Sequence, residues 1–190
     1  QNPLDLRPEK GRSDFDVPQR FVASFLWEIP SPEGRAARWI LGGWQSNGIL
    51  TAQGGGSFTV TSGGDRALTG TGTQRPNLTG NPQLDSGRSR SDQILRFFDP
   101  TAFALPPAGS FGNAGRNIVQ GPGSYNLDFS LFKSFPVREK MRLQFRTEFF
   151  NALNHANLSN PVANIASPTV GRILSTSPPR ILQFGLKLVY

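Results

Sequence analysis

The stretch that decides the fold is MRLQFRTEFFN, at residues 141–151. From Met141 to Phe149 the odd positions carry apolar side chains or threonine, whereas the even positions from Arg142 to Glu148 carry polar or charged ones. Successive side chains of a β-strand point to opposite faces, so this alternation is typical of a strand with one apolar and one polar face. We therefore predict a strand near residues 141–151.

Four other segments show the same alternation. They predict strands near residues 20–29, 39–53, 124–135 and 181–190. Three glycines thin the side-chain packing of the strand near 39–53, and Phe132 and Lys133 interrupt the pattern of the strand near 124–135. The fold class that follows is all-β and antiparallel.

Short and long connections alternate along the chain. The segments 30–38 and 136–140 are short, whereas 54–123 and 152–179 are long and rich in Gly, Pro, Asn and Ser. Within the longest of them, Ser91 is predicted to cap a short helix from Asp92 to Phe98. Strict alternation of this kind is expected of a transmembrane β-barrel with short periplasmic turns and long external loops.

Two interpretations of the sheet remain open at this point. A soluble antiparallel sandwich buries the apolar face in a core, whereas a transmembrane barrel places it in lipid and the polar face in a wet lumen. The alternating connections favour the barrel, as does an aromatic content of 11%. The strands also reach the roughly 9–11 residues that cross hydrocarbon at a tilt. In a barrel the loops 54–123 and 152–179 are external.

The predicted strands are too few to close a barrel, because the smallest bacterial outer-membrane barrels have about eight. We therefore interpret the 190 residues as the C-terminal part of a larger outer-membrane β-barrel domain. The chain begins at Gln1 without a Met or a signal peptide, as expected of a mature or excised piece.

The composition excludes several functional classes. With no Cys and a single His, the chain cannot form a disulfide scaffold, a thiolate zinc site or a histidine-rich metal site. The mean hydropathy of −0.34 and the lack of an apolar run of about 18–20 residues exclude a helical membrane protein. His155 has no imidazole or thiolate partner for a ligand set. We expect no enzyme activity and no cofactor.

Charged residues of the strands are candidates for the wall of a lumen. The predicted lumen-facing residues are Asp128, Arg142, Arg146, Glu148 and Lys187. Two carboxylates could instead serve hydrolysis, but the arginines that accompany Asp128 and Glu148 favour a ladder of lumen charges. We expect Asp128 to lie directly opposite or diagonal to Arg146, and Leu143 and Phe145 to face lipid.

The last predicted strand finishes on an alternating apolar face. We interpret four of its residues as an assembly signal: Phe184, Leu186, Leu188 and Tyr190. Outer-membrane barrels resemble this pattern in their last strand, where the barrel-assembly machinery engages them, and an aromatic end suits the interfacial girdle. Replacing Tyr190 by Asp is expected to reduce insertion, whereas the same change at Thr73 is expected to be tolerated.

The positive charge of the chain does not point to nucleic acid. The net charge is +7, but the arginines are scattered rather than clustered with stacking aromatics. Six of them fall in the loop 54–123: Arg66, Arg75, Arg88, Arg90, Arg96 and Arg116. They either contact anionic lipopolysaccharide or another anion, or they pack and solvate the loop, and we favour the second interpretation.

Several short motifs occur in a recognisable order. They are FDVPQRF at 15–21, FGNAGRN at 111–117, GPG at 121–123, NLDFSLFK at 126–133, QFRTEFFNALNH at 144–155, GRI at 171–173 and PRILQFGL at 179–186. In this order they resemble the closing strands of TonB-dependent outer-membrane transporters of the Oar-like type. The resemblance extends over residues 14–190.

This resemblance implies a barrel of about 22 strands with a plugged lumen, located in the bacterial outer membrane and energised through TonB. The implied partners are outer-membrane lipid and lipopolysaccharide, and the TonB complex through regions that precede this sequence. The implied function is import of a substrate that the sequence does not identify. Two alternatives remain: a soluble β-sandwich module for adhesion or carbohydrate binding, and an outer-membrane porin or adhesin without TonB coupling.

Overall fold

A computed structural model describes residues 1–72 and 74–190, so Thr73 lies outside the described residues. The longer elements and short strands are, in chain order, β1 (Arg20–Glu28), α1 (Arg35–Leu41), β2 (Trp44–Gln53), β3 (Ser57–Phe58), β4 (Asn77–Leu78), α2 (Arg90–Leu95), β5 (Phe103–Ala104), β6 (Val119–Gln120), β7 (Ser124–Arg138), β8 (Met141–Phe150) and β9 (Ile181–Val189). Short 3-10 helices occupy Arg7–Glu9 and Pro100–Ala102. No helix in the described residues is both long enough and apolar enough to cross a membrane.

The chain divides into two compact units. The sheet unit consists of Arg20–Gln53, Ser124–Asn157 and Ser177–Tyr190. The loop unit consists of Gln1–Gln19, Gly54–Gly123 and Leu158–Thr176.

The sheet unit is built on a five-stranded antiparallel sheet in the order β1-β2-β7-β8-β9. The sheet is open in the described residues, with β1 and β9 at its edges. The connection from β1 to β2 and the two-residue turn from β7 to β8 share one end of the sheet, which we call the turn end. The opposite end, where β1, β7 and β9 begin and β2 and β8 finish, is the loop end.

The structure differs from the predicted strands mainly between β1 and β2. The strand predicted near 39–53 begins at Trp44, and the segment predicted as a short turn contains α1. The sequence RAARWIL of α1 is rich in good helix formers. Gly42 and Gly43 follow it, and Gly43 has a φ of 70°, which lets the chain turn back into β2. The strand predicted near 124–135 continues to Arg138.

A β-bulge between Pro136 and Arg138 sets the register of β7 against β8. At the turn, Arg138 is paired with Met141, whereas beyond the bulge Pro136 is paired with Arg142 and Ser134 with Gln144. Beyond this extra residue, even-numbered residues of β7 are paired with even-numbered residues of β8. The even-numbered residues of both strands therefore lie on the same face of the sheet. Proline suits this irregular position because it has no N–H to donate to the ladder.

The loop unit has a hydrophobic core of its own. Its buried residues are Val60, Phe98, Ala102, Phe103, Ala114 and Val119. The Phe98 ring lies edge-on to the rings of Phe58 and Phe103, at centroid distances of 5.9 and 6.0 Å. The two segments predicted as external loops, 54–123 and 152–179, thus contribute to a packed unit rather than to separate irregular loops.

Helix α2 of the loop unit begins two residues before the predicted start. Its N-cap is Ser89 rather than Ser91, because the Ser89 hydroxyl accepts a hydrogen bond from the Asp92 amide at 3.1 Å. The same hydroxyl donates to the Asp92 carboxylate at 2.6 Å. Two serines at this spacing make the cap hard to assign from the sequence.

Candidate functional site

The register of the sheet collects the apolar side chains of all five strands on one face, which we call the apolar face. Alternation along each strand, combined with the observed pairing, fixes its membership. Apart from Lys133 and a few small or hydroxyl residues, it comprises Phe21, Ala23, Phe25, Trp27, Trp44, Leu50, Ala52, Tyr125, Leu127, Phe129, Leu131, Phe135, Met141, Leu143, Phe145, Phe149, Leu182, Phe184, Leu186 and Leu188. Gly48 also lies on it, opposite Phe25, and a Cβ at Gly48 would lie 2.7 Å from that ring. The phenylalanine therefore covers the gap left by the glycine.

The opposite face, the polar face, carries every residue predicted to face a lumen. These are Asp128, Arg142, Arg146, Glu148 and Lys187. Glu148 is paired with Ser130 on one side and Gln183 on the other, and Lys187 is paired with Gln144. The residues therefore form a band of alternating charge and neutral polar groups across β7, β8 and β9.

Apolar residues also interrupt the polar face, which the alternation did not predict in full. Ile49 lies diagonal to Val22 and Leu26 across β1 and β2, and Phe150 is paired with Ile181. All five side chains are exposed in the structure. The polar face thus carries charged, neutral polar and apolar residues side by side.

The predicted pairing of Asp128 with Arg146 is wrong. Both residues lie on the polar face, but Arg146 is paired with Phe132, four residues along β7 from Asp128. The Arg146 guanidinium carbon lies 4.4 Å from the centroid of the Phe132 ring, a cation–π contact. The two strands meet in a two-residue turn after Arg138 rather than in the predicted turn 136–140. This difference shifts β8 relative to the register we assumed, so Asp128 and Arg146 are too far apart to pair.

Asp128 instead holds the end of β8. Its carboxylate accepts hydrogen bonds from the Asn151 amide at 2.9 Å and from the Asn126 side chain at 2.8 Å. Asn151 has a φ of 51°, a conformation that asparagine tolerates better than most residues. The Asn151 side chain donates to the carbonyl of His155 at 2.9 Å and accepts from its amide at 2.9 Å. Asp128 therefore acts on the turn that follows β8 rather than on a charge ladder.

His155 packs within this turn. Its ring is stacked on Tyr125, with centroids 3.7 Å apart. The backbone of Tyr125 is in turn held by the Asn157 side chain, through bonds of 2.9 Å to the amide and the carbonyl. These contacts give the imidazole a packing role. No cluster of three or more metal-ligating side chains occurs in the described parts of the chain.

Lys133 is the unexpected residue of the apolar face. In the sequence, Phe132 and Lys133 break the alternation of apolar and polar residues. In the structure the strand pairing continues through them, so Phe132 lies on the polar face and Lys133 on the apolar face. The Lys133 ammonium donates to the carbonyl of Ile40 at 2.9 Å and to that of Gly42. It also lies 5.3 Å from the Trp44 ring and 5.2 Å from the Phe135 ring. The side chain thereby binds the C-terminal carbonyls of α1, where a cation is favourable.

Tryptophan is concentrated at the turn end of the sheet unit. The chain has three tryptophans, and Trp27 and Trp44 lie in the last strand rows of this end. Trp39 lies in α1, with its ring 5.7 Å from that of Phe135. Clustered tryptophans of this kind are typical of a membrane–water interface.

The four residues interpreted as an assembly signal lie in or directly after the edge strand β9. Phe184, Leu186 and Leu188 are on the apolar face, and Phe184 and Leu186 are 64% and 71% exposed within the described part of the chain. Tyr190 follows the last strand residue and is also exposed. Their role in assembly stays a prediction.

The arginines of the loop unit are held by contacts inside that unit. Arg75 is almost fully buried and donates to both Glu9 carboxylate oxygens, at 2.8 and 2.9 Å. Hydrogen bonds from Arg75 lower the pKa of Glu9 to about 2. Arg96 pairs with Asp99, and Arg116 pairs with Asp14 at 2.7 Å. These contacts favour the packing interpretation of the loop arginines.

The FGNAGRN motif at 111–117 is part of the same packing. A Cβ at Gly112 would lie 2.1 Å from the Arg75 carbonyl, so only glycine allows that approach. The Asn113 amide donates to the Asn77 side chain at 3.0 Å, and the Asn113 side chain accepts from the Leu78 amide at 2.7 Å. The Asn117 side chain donates to Asp14 at 2.7 Å. The motif joins distant parts of the loop unit, and none of these contacts forms a catalytic arrangement.

Comparison with known proteins adds one match. A family model described as "Outer membrane beta barrel domain" matches residues 1–183 of the chain. No curated protein and no solved structure matches the chain.

Proposed function

Because this chain belongs to the outer membrane beta barrel domain family and is located in the bacterial outer membrane, we propose that it forms part of the barrel wall of a TonB-dependent transporter that imports a substrate. The single observation that carries the barrel-wall proposal is the sorting of side chains. Apart from Lys133, one face of the five-stranded sheet carries the apolar side chains of all five strands, and the other carries the charged residues of the strands. A soluble sandwich module is set aside because the family belongs to the outer membrane.

The apolar face is the lipid-facing surface of the wall in this proposal. Leaving a large apolar side chain in water rather than burying it costs about 1.5–3 kcal/mol, and β9 alone exposes four such residues on this face: Leu182, Phe184, Leu186 and Leu188. Hydrocarbon removes that cost without a second protein layer. The tryptophans at the turn end then mark one boundary of the hydrocarbon.

The polar face is the lumen wall in this proposal. Water or polar ligands solvate Glu148 and Lys187 there, whereas a charge in hydrocarbon would lack such solvation. The edges at β1 and β9 need partner strands, since an unpaired strand edge is not tolerated in hydrocarbon. We propose that further strands of a larger barrel pair with both edges.

The transport part of the proposal is supported by resemblance rather than by a ligand site. The motifs at 111–117 and 144–155 resemble those of Oar-like TonB-dependent transporters, and their order along the chain agrees with that family. Fold alone does not determine function. Coupling to TonB therefore requires a direct test.

The test uses the full-length protein purified in detergent and an immobilised periplasmic domain of TonB. We expect the protein to be retained on the TonB domain, and we expect closed, non-conducting behaviour in planar bilayers because a plug fills the lumen. An unrelated passive porin serves as the control for both measurements. Steady open-channel conductance without TonB binding would contradict the proposal and favour a passive porin.

A further inference from the structure

A cavity of about 680 Å³ lies at the turn end of the sheet unit. It is formed by α1, by the connection on either side of it, and by the ends of β7 and β8. Its wall includes Arg35 and Arg38 from α1, Arg142 from β8, and the hydroxyl-bearing Ser31 and Ser134. Three guanidinium groups therefore share one cavity.

None of these guanidinium groups has an ion-pair partner within the described part of the chain. No carboxylate lines the cavity, and no ion pair of the described residues includes Arg35, Arg38 or Arg142. This contrasts with Arg75, Arg96 and Arg116, each of which has an acidic partner. An anion between these guanidinium groups would offset their mutual repulsion, so the arrangement favours an anionic ligand.

Glycine brings the backbone close enough to shape the cavity. A Cβ at Gly42 would lie 2.8 Å from the Ser31 hydroxyl and 2.5 Å from the Arg38 carbonyl, and a Cβ at Gly43 would lie 2.6 Å from the Ser134 carbonyl. Both glycines line the cavity. Larger side chains at these two positions would displace the walls.

The surroundings of the cavity indicate where the anion comes from. Trp39 lines it, and the adjacent Ile40 and Leu41 of α1 are exposed apolar residues. Short helices with exposed Trp, Ile and Leu beside arginines are typical of the boundary between headgroups and acyl chains. We propose that this cavity binds the phosphate headgroup of an anionic phospholipid in the leaflet at the turn end.

The chemistry of the cavity suits a phosphodiester. Guanidinium groups match phosphate oxygens with paired hydrogen bonds, and the Ser31 and Ser134 hydroxyls can donate further ones. The apolar side chains of α1 would lie along the acyl chains. The inference rests on the proposed insertion of the apolar face into lipid, but not on TonB coupling.

The test measures binding of soluble short-chain lipids to the full-length protein in a neutral detergent, by calorimetry. The probes are dihexanoyl phosphatidylglycerol, dihexanoyl phosphatidylcholine and inorganic phosphate. We expect phosphatidylglycerol to bind at least about tenfold more tightly than the other two, the equivalent of about 1.4 kcal/mol. Equal binding of phosphatidylcholine would overturn the proposal. Inorganic phosphate that binds as tightly as phosphatidylglycerol would overturn the lipid source and identify a soluble anion.

The variants are R35Q/R38Q/R142Q and the single variant R35Q, with R138Q as the matched control. Arg138 is exposed at the same end of the sheet but does not line the cavity. We expect the triple variant to lose the preference for phosphatidylglycerol, R35Q to weaken it, and R138Q to retain it. Loss of the preference in R138Q alone, or its retention in R35Q and the triple variant, would overturn the proposal.

Folding of each variant is checked by the heat-dependent shift of folded barrels on gels. If the triple variant does not fold, the lipid preference of R35Q provides the test. Arg35 is exposed on α1, so we expect its replacement to leave folding intact. Failure of the wild-type protein to insert into vesicles would contradict the proposed function. Normal insertion without a phosphatidylglycerol preference would contradict only this inference.

Discussion

The guanidinium group of Arg146 lies over the ring of Phe132, with its central carbon 4.4 Å from the ring centroid and the two residues paired across β7 and β8. On its other side Arg146 is paired with Gly185, so no side chain of β9 competes for the space. A buried or half-buried cation–π contact contributes about 0.5–2 kcal/mol. This contact, rather than an ion pair, holds Arg146 on the polar face.

A double-mutant cycle tests that relationship. We expect F132L and R146Q to show a coupling energy of about 0.5–2 kcal/mol in denaturant unfolding of the protein in lipid vesicles. The matched cycle with D128N and R146Q is expected to show none within error, because Asp128 bonds to Asn126 and Asn151 instead. Coupling that is larger with Asp128 than with Phe132 would contradict the observed register.

Neighbouring positions of β9 should differ sharply in their tolerance of arginine. Phe184 is on the apolar face near the middle of β9, whereas the adjacent Gln183 is on the polar face opposite Glu148. We expect F184R to destabilise the membrane-inserted protein by about 2–4 kcal/mol, with Q183R close to neutral. Folding yields in vesicles measure this, and similar yields for both variants would show that the faces are assigned wrongly.

Removal of the Lys133 ammonium should loosen α1. In K133M the carbonyls of Ile40 and Gly42 lose their charged donor, and a hydrogen bond to a charged group contributes about 1.5–3 kcal/mol. Hydrogen exchange of residues 35–43 should accelerate, while K140M, an exposed lysine of the nearby turn, should leave it unchanged. Unchanged exchange in K133M would mean that α1 is held by its other contacts.

The loop unit should lose stability in acid through Glu9. Because its pKa is lowered from 4.5 to about 2 by Arg75, the folded unit favours the ionised carboxylate. This stabilisation is complete above about pH 4.5 and is lost as the pH falls through about 2. We expect the hydrogen-exchange protection factors around residues 5–10 and 74–78 to fall between about pH 4 and 2, because the pKa of Glu9 in the folded unit lies at the lower end of that range. In R75Q we expect these protection factors to be low at every pH. A pH dependence that persists in R75Q would assign the effect to another group.

Side-chain alternation was sufficient to predict the two faces of the sheet, because period two is a local property of the chain. The partner of Arg146 was not predictable in the same way. It depends on the bulge between Pro136 and Arg138, and a single extra residue there changes every pair along two strands. The sequence near the turn does not show where that residue is accommodated.

Two other features depend on contacts between distant segments. Helix α1 was not predicted because the end of RAARWIL overlaps the strand predicted near 39–53. Its C-terminal carbonyls are bound by Lys133, which is about 90 residues away along the chain. The core of the loop unit joins Val60, Phe98 and Val119, which have no common periodicity. The cavity arginines likewise come from α1 and β8, so only the folded sheet brings them together.

The central claim is that the apolar face contacts lipid and the polar face contacts water, and a cysteine scan with spin labels tests it most directly. This sequence contains no Cys. Once any Cys elsewhere in the full-length protein is replaced by Ser, each single-Cys variant at 141–150 and 181–189 reports on one position of the protein in vesicles. We predict that odd positions of β8 and even positions of β9 collide with oxygen, which partitions into lipid, while the alternate positions collide with an aqueous nickel chelate. An absence of alternation, or nickel accessibility along the apolar face, would contradict the account.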